Sequence, residues 1–180
     1  MKNLGIISIA VIWAGLIFLI RKWKGNVSMT FSQHAAQYRS SQIYYFILFL
    51  IGVPLSTLFM YGWFIPNFHL PFLFGLVVAV CMFSMMVAAT VAETKGRKVK
   101  VHRFAAFLMA TCFVPLLILI ALSTHFSIAV RVLAGLSAAY QVVGIVLFIP
   151  VKGYHPKVLP LQASYIAVFH ITILAATYLR

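Results

Sequence analysis

Glu93-Thr94-Lys95-Gly96-Arg97-Lys98-Val99-Lys100-Val101-His102-Arg103 decides how the rest of this chain is read. Five of its fourteen Lys and Arg residues, its single acidic side chain and one of its six histidines fall in this stretch, between long apolar runs. Charge this dense cannot be solvated by hydrocarbon, so the stretch is predicted to be a loop at a membrane surface. The excess of Lys and Arg assigns that surface to the cytoplasm, which fixes the direction of every other span.

Composition agrees. The 180 residues are 64% hydrophobic and 8% charged, whereas a soluble domain is about a quarter charged. The chain reads as an integral membrane protein. Its net charge of +13 is explained by orientation and by contact with anionic lipid headgroups rather than by nucleic acid, because the cations gather in short connections between apolar runs. With one Glu and no Asp, paired-carboxylate hydrolysis and a Ser-His-Asp triad are excluded, and a carboxylate cage for magnesium or calcium is disfavoured. The reading therefore leans away from an enzyme. Cys81 and Cys112 lie inside apolar runs without a CxxC pattern and read as buried thiols.

Six runs are long enough to cross a bilayer: residues 4–20, 42–64, 72–91, 104–122, 128–149 and 161–179, at about 20 residues per crossing. The first has only Lys2 at its front end, is followed by Arg21, Lys22 and Lys24, and lacks the Ala-x-Ala site of a signal peptide, so a retained helix is expected. With both chain ends outside, eleven cations fall on the inner side (among them Arg21, Lys22, Lys24 and Arg39) and three, Lys2, Arg131 and Arg180, on the outer. The expectation is a single-domain, all-α polytopic bundle of six transmembrane helices, N-out and C-out, in a bacterial inner membrane. Continuous apolarity favours helices over a barrel. Residues 28–41 are too polar to enter the bilayer and are expected to form a short amphipathic helix on its surface. Residues 150–160, with Pro150, Pro156 and Pro160, are expected to form a turn that no helix runs through. Val-Pro-Leu occurs at Val53 and again at Val114, 61 positions later. A duplicated hairpin and coincidence both account for it. Pro54 and Pro115 are expected to kink their helices.

The most conspicuous candidate for chemistry is His170, midway along the sixth run, because an ionisable group at that depth normally faces the bundle interior. Interhelical hydrogen bonds to Gln141, Tyr140 or Ser137 in the fifth run are its expected role. A b-type haem held by His170 with His102 is the alternative, although the two lie at different depths. Cys81, Met82, Met85, Met86, Met109 and Cys112 bring soft sulfur to mid-membrane, which ordinary core packing explains. His69 and His125 share the outer surface but lack carboxylates and a second ligand at helical spacing, so they read as exposed turn histidines and no metal site is expected. Glu93 is expected to pair with His102 or Arg103 in a wet, weak contact. Lys95, Arg97, Lys98, Lys100 and Arg103 form a basic membrane-surface patch.

His102-Arg103-Phe104-Ala105-Ala106, followed by Phe113-Val114-Pro115-Leu116-Leu117, resembles a group of bacterial six-helix membrane proteins of unknown function, distantly similar to the DRAM/Frag/Sfk membrane family. The resemblance covers the second to sixth runs. It implies a polytopic bundle without established catalysis and, in some members, an acidic residue beside the histidine where Arg103 stands here. The expected function is that of a non-catalytic scaffold, assembly factor or component interacting with small solutes or lipid. Its partners would be the bilayer, a membrane protein or a second copy of itself, and no cofactor is required. A membrane-embedded electron carrier or metal handler is the alternative.

Overall fold

The computed structural model describes residues 1–91, 93, 96–148 and 157–179, and of 147 and 148 the backbone alone. Helix α1 (Leu4–Lys22) is followed by a short α2 (Phe31–Ala36) and by α3 (Arg39–Phe59). The latter continues through a π-helical turn (Met60–Phe64) into α4 (Ile65–Asn67). Then come α5 (Phe72–Thr90), α6 (Arg97–Leu122), α7 (Ile128–Phe148) and α8 (Val158–Tyr178). No strand occurs among the described residues. Among the described residues six helical segments are long and apolar enough to cross a membrane: α1, the continuous Arg39–Asn67, α5, α6, Ile128–Val146 of α7, and α8. Helices are the natural outcome, since hydrocarbon offers no partner to a backbone amide and a helix satisfies its own.

The boundaries differ from expectation where charge was equated with loop. Helix α6 begins at Arg97, not at residue 104, so most of the charged stretch is helical. At 26 residues it is about 39 Å long and projects beyond a hydrocarbon core of about 30 Å. Gly96, at φ 66, supplies the left-handed residue that turns the chain into it. The start of α8 likewise precedes the expected one: it opens at Val158 with Pro160 in its first turn, where a missing amide proton breaks no helical bond. Residues 150–156 of the expected turn, Lys95 and Arg180 lie outside the described residues.

Pro54 and Pro115 both sit inside continuous helices. The Ser56 hydroxyl donates to the Gly52 carbonyl at 2.9 Å and Thr57 to Val53 at 2.8 Å, so the turn around Pro54 gains hydroxyl donors from within its own helix. The irregular geometry appears further along, as the π turn at Met60–Phe64.

Packing is most extensive between α5 and α6, then between α6 and α7 and between α1 and α3. The last three helices are therefore not the centre of the packing, and the small residues of α7 do little to join them. Gly135 and Ala139 face outward, and only Gly144 meets a neighbour, where a Cβ would come within 2.8 Å of the Tyr165 ring. A close approach joins α1 and α3: a Cβ on Gly15 would fall 2.3 Å from Leu48. One apolar core joins α3 to α8 around Phe64, Phe74, Leu117 and Phe169. A second, with Ile12, Leu16, Phe31 and Leu48, seats α1 against α3.

Large apolar side chains cover the outside, including Phe83, Leu122, Ile128 and Leu136. In water such a surface would aggregate; in lipid it is solvated. Lys22 over Trp23 at 4.9 Å marks one end of the bundle, and Lys2 over Tyr178 at 4.6 Å the other, where amphipathic rings and snorkelling cations belong. Asn3 and Tyr178 meet at 3.4 Å, so α1 starts and α8 finishes at the same end.

Candidate functional site

At the opposite end, the turn from α5 into α6 carries Glu93. The segment read as a surface helix docks beside it. Thr30 and Gln33 form a reciprocal cap at the start of α2, which satisfies two otherwise orphaned amides. One face of that helix packs on the bundle: Phe31, His34 and Ala35 are buried. Two bonds anchor it and the connection before it to α8, from the Phe31 amide to Gln162 Oε1 at 2.9 Å and from the Leu159 amide to the Val27 carbonyl at 2.9 Å.

Docking of α2 carries Ser32 to Glu93, its hydroxyl donating to Oε2 at 3.0 Å. Arg103 donates through Nε to Oε1 at 3.0 Å. His102 Nε2 stands 3.8 Å from Oε2. Pairing of Glu93 with His102 and Arg103 was expected to be wet, but the carboxylate is 8% exposed and the imidazole 4%. The burial comes from α2, whose side-chain donor Ser32 lies 61 positions away in the sequence.

The His102 geometry has a chemical consequence. Nδ1 lies 2.8 Å from the Val91 carbonyl oxygen, which can only accept, so Nδ1 carries a hydrogen. In the neutral ring Nε2 is then a bare acceptor facing a carboxylate oxygen. A hydrogen placed between them, on the imidazole itself or on a donor from outside, makes the arrangement attractive.

Beside this cluster is a cavity of about 280 Å³. Ser32 and Ala35 of α2, Tyr45 and Phe46 of α3, and Ala88 and Thr90 of α5 line it together with Glu93 and His102. Ile43, 51% exposed, also lines it. The lining mixes polar side chains, Gln42 and Thr90 among them, with apolar ones. Arg97, Lys98 and Lys100 stand exposed on the first turns of α6 nearby.

His170 has a different partner from the one expected. Its Nδ1 accepts from Trp13 Nε1 at 3.0 Å, joining α8 to α1. Gln141, Tyr140 and Ser137 do bridge α7 to α8, but elsewhere: Gln141 donates to the Tyr165 carbonyl at 2.8 Å, Tyr140 meets Ser164 at 2.7 Å, and Ser137 meets Thr172 at 2.8 Å. Helical spacing placed these groups on facing helices but could not say which turn faced which. Trp13 was overlooked, and its only signal is an indole N–H in mid-span, a donor that needs a buried acceptor.

The two histidines expected to share a haem line different cavities. An indole N–H can only donate, so the neutral His170 ring accepts at Nδ1 and holds its hydrogen on Nε2, with no lone pair left for iron. The cavity at His170 measures about 40 Å³, room for little more than water, and His102 lines the other cavity. Cys81 and Cys112 are both buried and unbridged, the Cys81 thiol pointing at the Met109 carbonyl at 3.9 Å. Among the described residues no group of three or more His, Cys, Asp or Glu side chains converges.

Fold and site together define a multi-pass α-helical membrane protein in contact with the lipid bilayer. Compared with known proteins, the chain matches no family model, no curated protein and no solved structure.

Proposed function

We propose that this protein is a non-catalytic membrane component that receives a lipid or another amphiphile in the cavity beside Glu93. The observation that carries this reading is the cavity's mixed lining, in which the cluster of Ser32, Glu93 and His102 accompanies the apolar Phe46 and Ile43. An amphiphile would place a donor group, such as an ammonium or hydroxyl, between His102 Nε2 and the carboxylate, and lay its apolar part along α3. Arg103, with a side chain 66% exposed, and the cations of α6 would hold a phosphate at the rim, each adding about 1 kcal/mol toward anionic headgroups. These cations crowd a helix N-terminus, where the macrodipole disfavours them, and a phosphate would offset that cost. The charge bias supports a bacterial inner membrane with the Glu93 end in the cytosol. The likeness of residues 102–106 and 113–117 to the six-helix group fits a bundle of this kind without naming a ligand.

Native mass spectrometry of protein extracted in mild detergent tests the proposal. The wild type should retain about one phospholipid per chain, and Glu93→Gln and Ser32→Ala should retain less at an unchanged elution volume. Equal lipid occupancy in wild type and Glu93→Gln would remove the basis of the reading. A Soret band in the same preparation would reinstate the haem alternative.

A further inference from the structure

The end of the bundle away from Glu93 carries a second cluster that the lipid reading does not use. His69, in the turn between α4 and α5, and His125, in the turn between α6 and α7, bring their rings to a centroid separation of 5.6 Å at an interplanar angle of 57°. The two residues are 56 positions apart in sequence, and both are exposed. Two imidazoles bound to one zinc at about 2.0–2.1 Å, with a near-tetrahedral angle between them, place their centroids about 5 Å apart. The observed centroid separation is close to that distance.

The turns that carry the pair are held from below. Phe68 and Phe126, the neighbours of the two histidines, are buried against each other at 4.4 Å, and Phe64 packs on both. His69 adopts φ 48, a left-handed conformation uncommon for any residue but glycine. Such backbone persists where the surroundings over-determine it, often at a binding site. Beside the pair is a polar cavity of about 440 Å³ lined by Asn67, Thr124, His125 and Ser127, with room for water or a side-chain oxygen to complete a coordination shell. The only carboxylate side chain of the protein, Glu93, lies at the other end of α5, so a hard cation would find no anionic oxygen from a side chain here. Imidazole nitrogen selects borderline ions instead.

We infer that His69 and His125 form a two-histidine chelate for a borderline divalent transition-metal ion at this end of the bundle. The reading is independent of the lipid cavity. It revises the expectation of two unrelated turn histidines, because sequence spacing could not show that two separate turns share a floor.

Zinc titration of untagged, detergent-purified protein tests it, compared with His125→Ala, His69→Gly and the double variant. Glycine is chosen because it accepts the left-handed backbone at 69. One equivalent of zinc should bind the wild type and magnesium should not compete. Because the second ligand binds intramolecularly, losing either one should weaken affinity at least about tenfold, and the double variant should be little weaker than the singles. Copper(II) electron paramagnetic resonance should show two coordinated nitrogens in the wild type and fewer in each single variant. Zinc affinity unchanged in either single variant, additive losses, or no binding by the wild type would overturn the chelate.

Discussion

A single hydrogen bond shows how depth changes what a residue is worth. Trp13 donates to His170 at 3.0 Å between α1 and α8, at mid-span, where hydrocarbon offers neither side chain another partner. Replacing His170 by Leu leaves the indole N–H orphaned, which costs about 1–3 kcal/mol. We therefore predict that His170→Leu folds but melts a few degrees lower in detergent, and that His170→Leu combined with Trp13→Phe recovers most of the loss. A double-mutant thermal series checks this; a loss undiminished in the double variant would mean that His170 contributes through something other than Trp13. Gln141 differs, since it donates to Tyr165 while its own Oε1 finds no partner. Gln141→Met, which also removes that unpaired oxygen, is predicted to cost less than His170→Leu.

At the scale of elements, α1 depends on Gly15. Because a Cβ there would fall 2.3 Å from Leu48, Gly15→Val should force α1 off α3, with a cost of about 1–3 kcal/mol from overpacking. The expected readout is a lower melting temperature together with faster proteolysis of the 23–30 connection. The position of α2 depends on its cap. Thr30→Ala removes the acceptor for the Gln33 amide and should cost about 1 kcal/mol, while Ser32 loses its fixed approach to Glu93. Lipid retention should then fall as it does in Ser32→Ala, although residue 30 is not among those lining the cavity.

For the whole molecule, sidedness is the property that organises all others. In a background where Cys81 and Cys112 stay unlabelled because they are buried, Lys98→Cys should react only with reagent reaching the cytosolic face, and Thr124→Cys only with reagent at the opposite face. The reverse pattern would leave the bundle intact and invert the compartments assigned to its two ends. The structure itself supplies two chemically distinct ends: a carboxylate enclosed by Ser32, Arg103 and His102 at one, and a histidine pair over stacked phenylalanines at the other.

The six spans were legible in the sequence because burial in lipid demands unbroken apolarity, a property of each segment by itself. The charged stretch was recognised as a membrane-surface feature for the same local reason, although its helical form was not, since a helix can leave the bilayer without changing its composition. Beyond the pairing of Glu93 with Arg103, ten positions apart, tertiary structure decided which polar groups meet. His170 with Trp13, Glu93 with Ser32 and His69 with His125 are joined by the rotation and register of helices packed side by side. Those depend on which side chains interdigitate, and a hydropathy pattern, which only sorts residues into apolar and polar, contains no record of it.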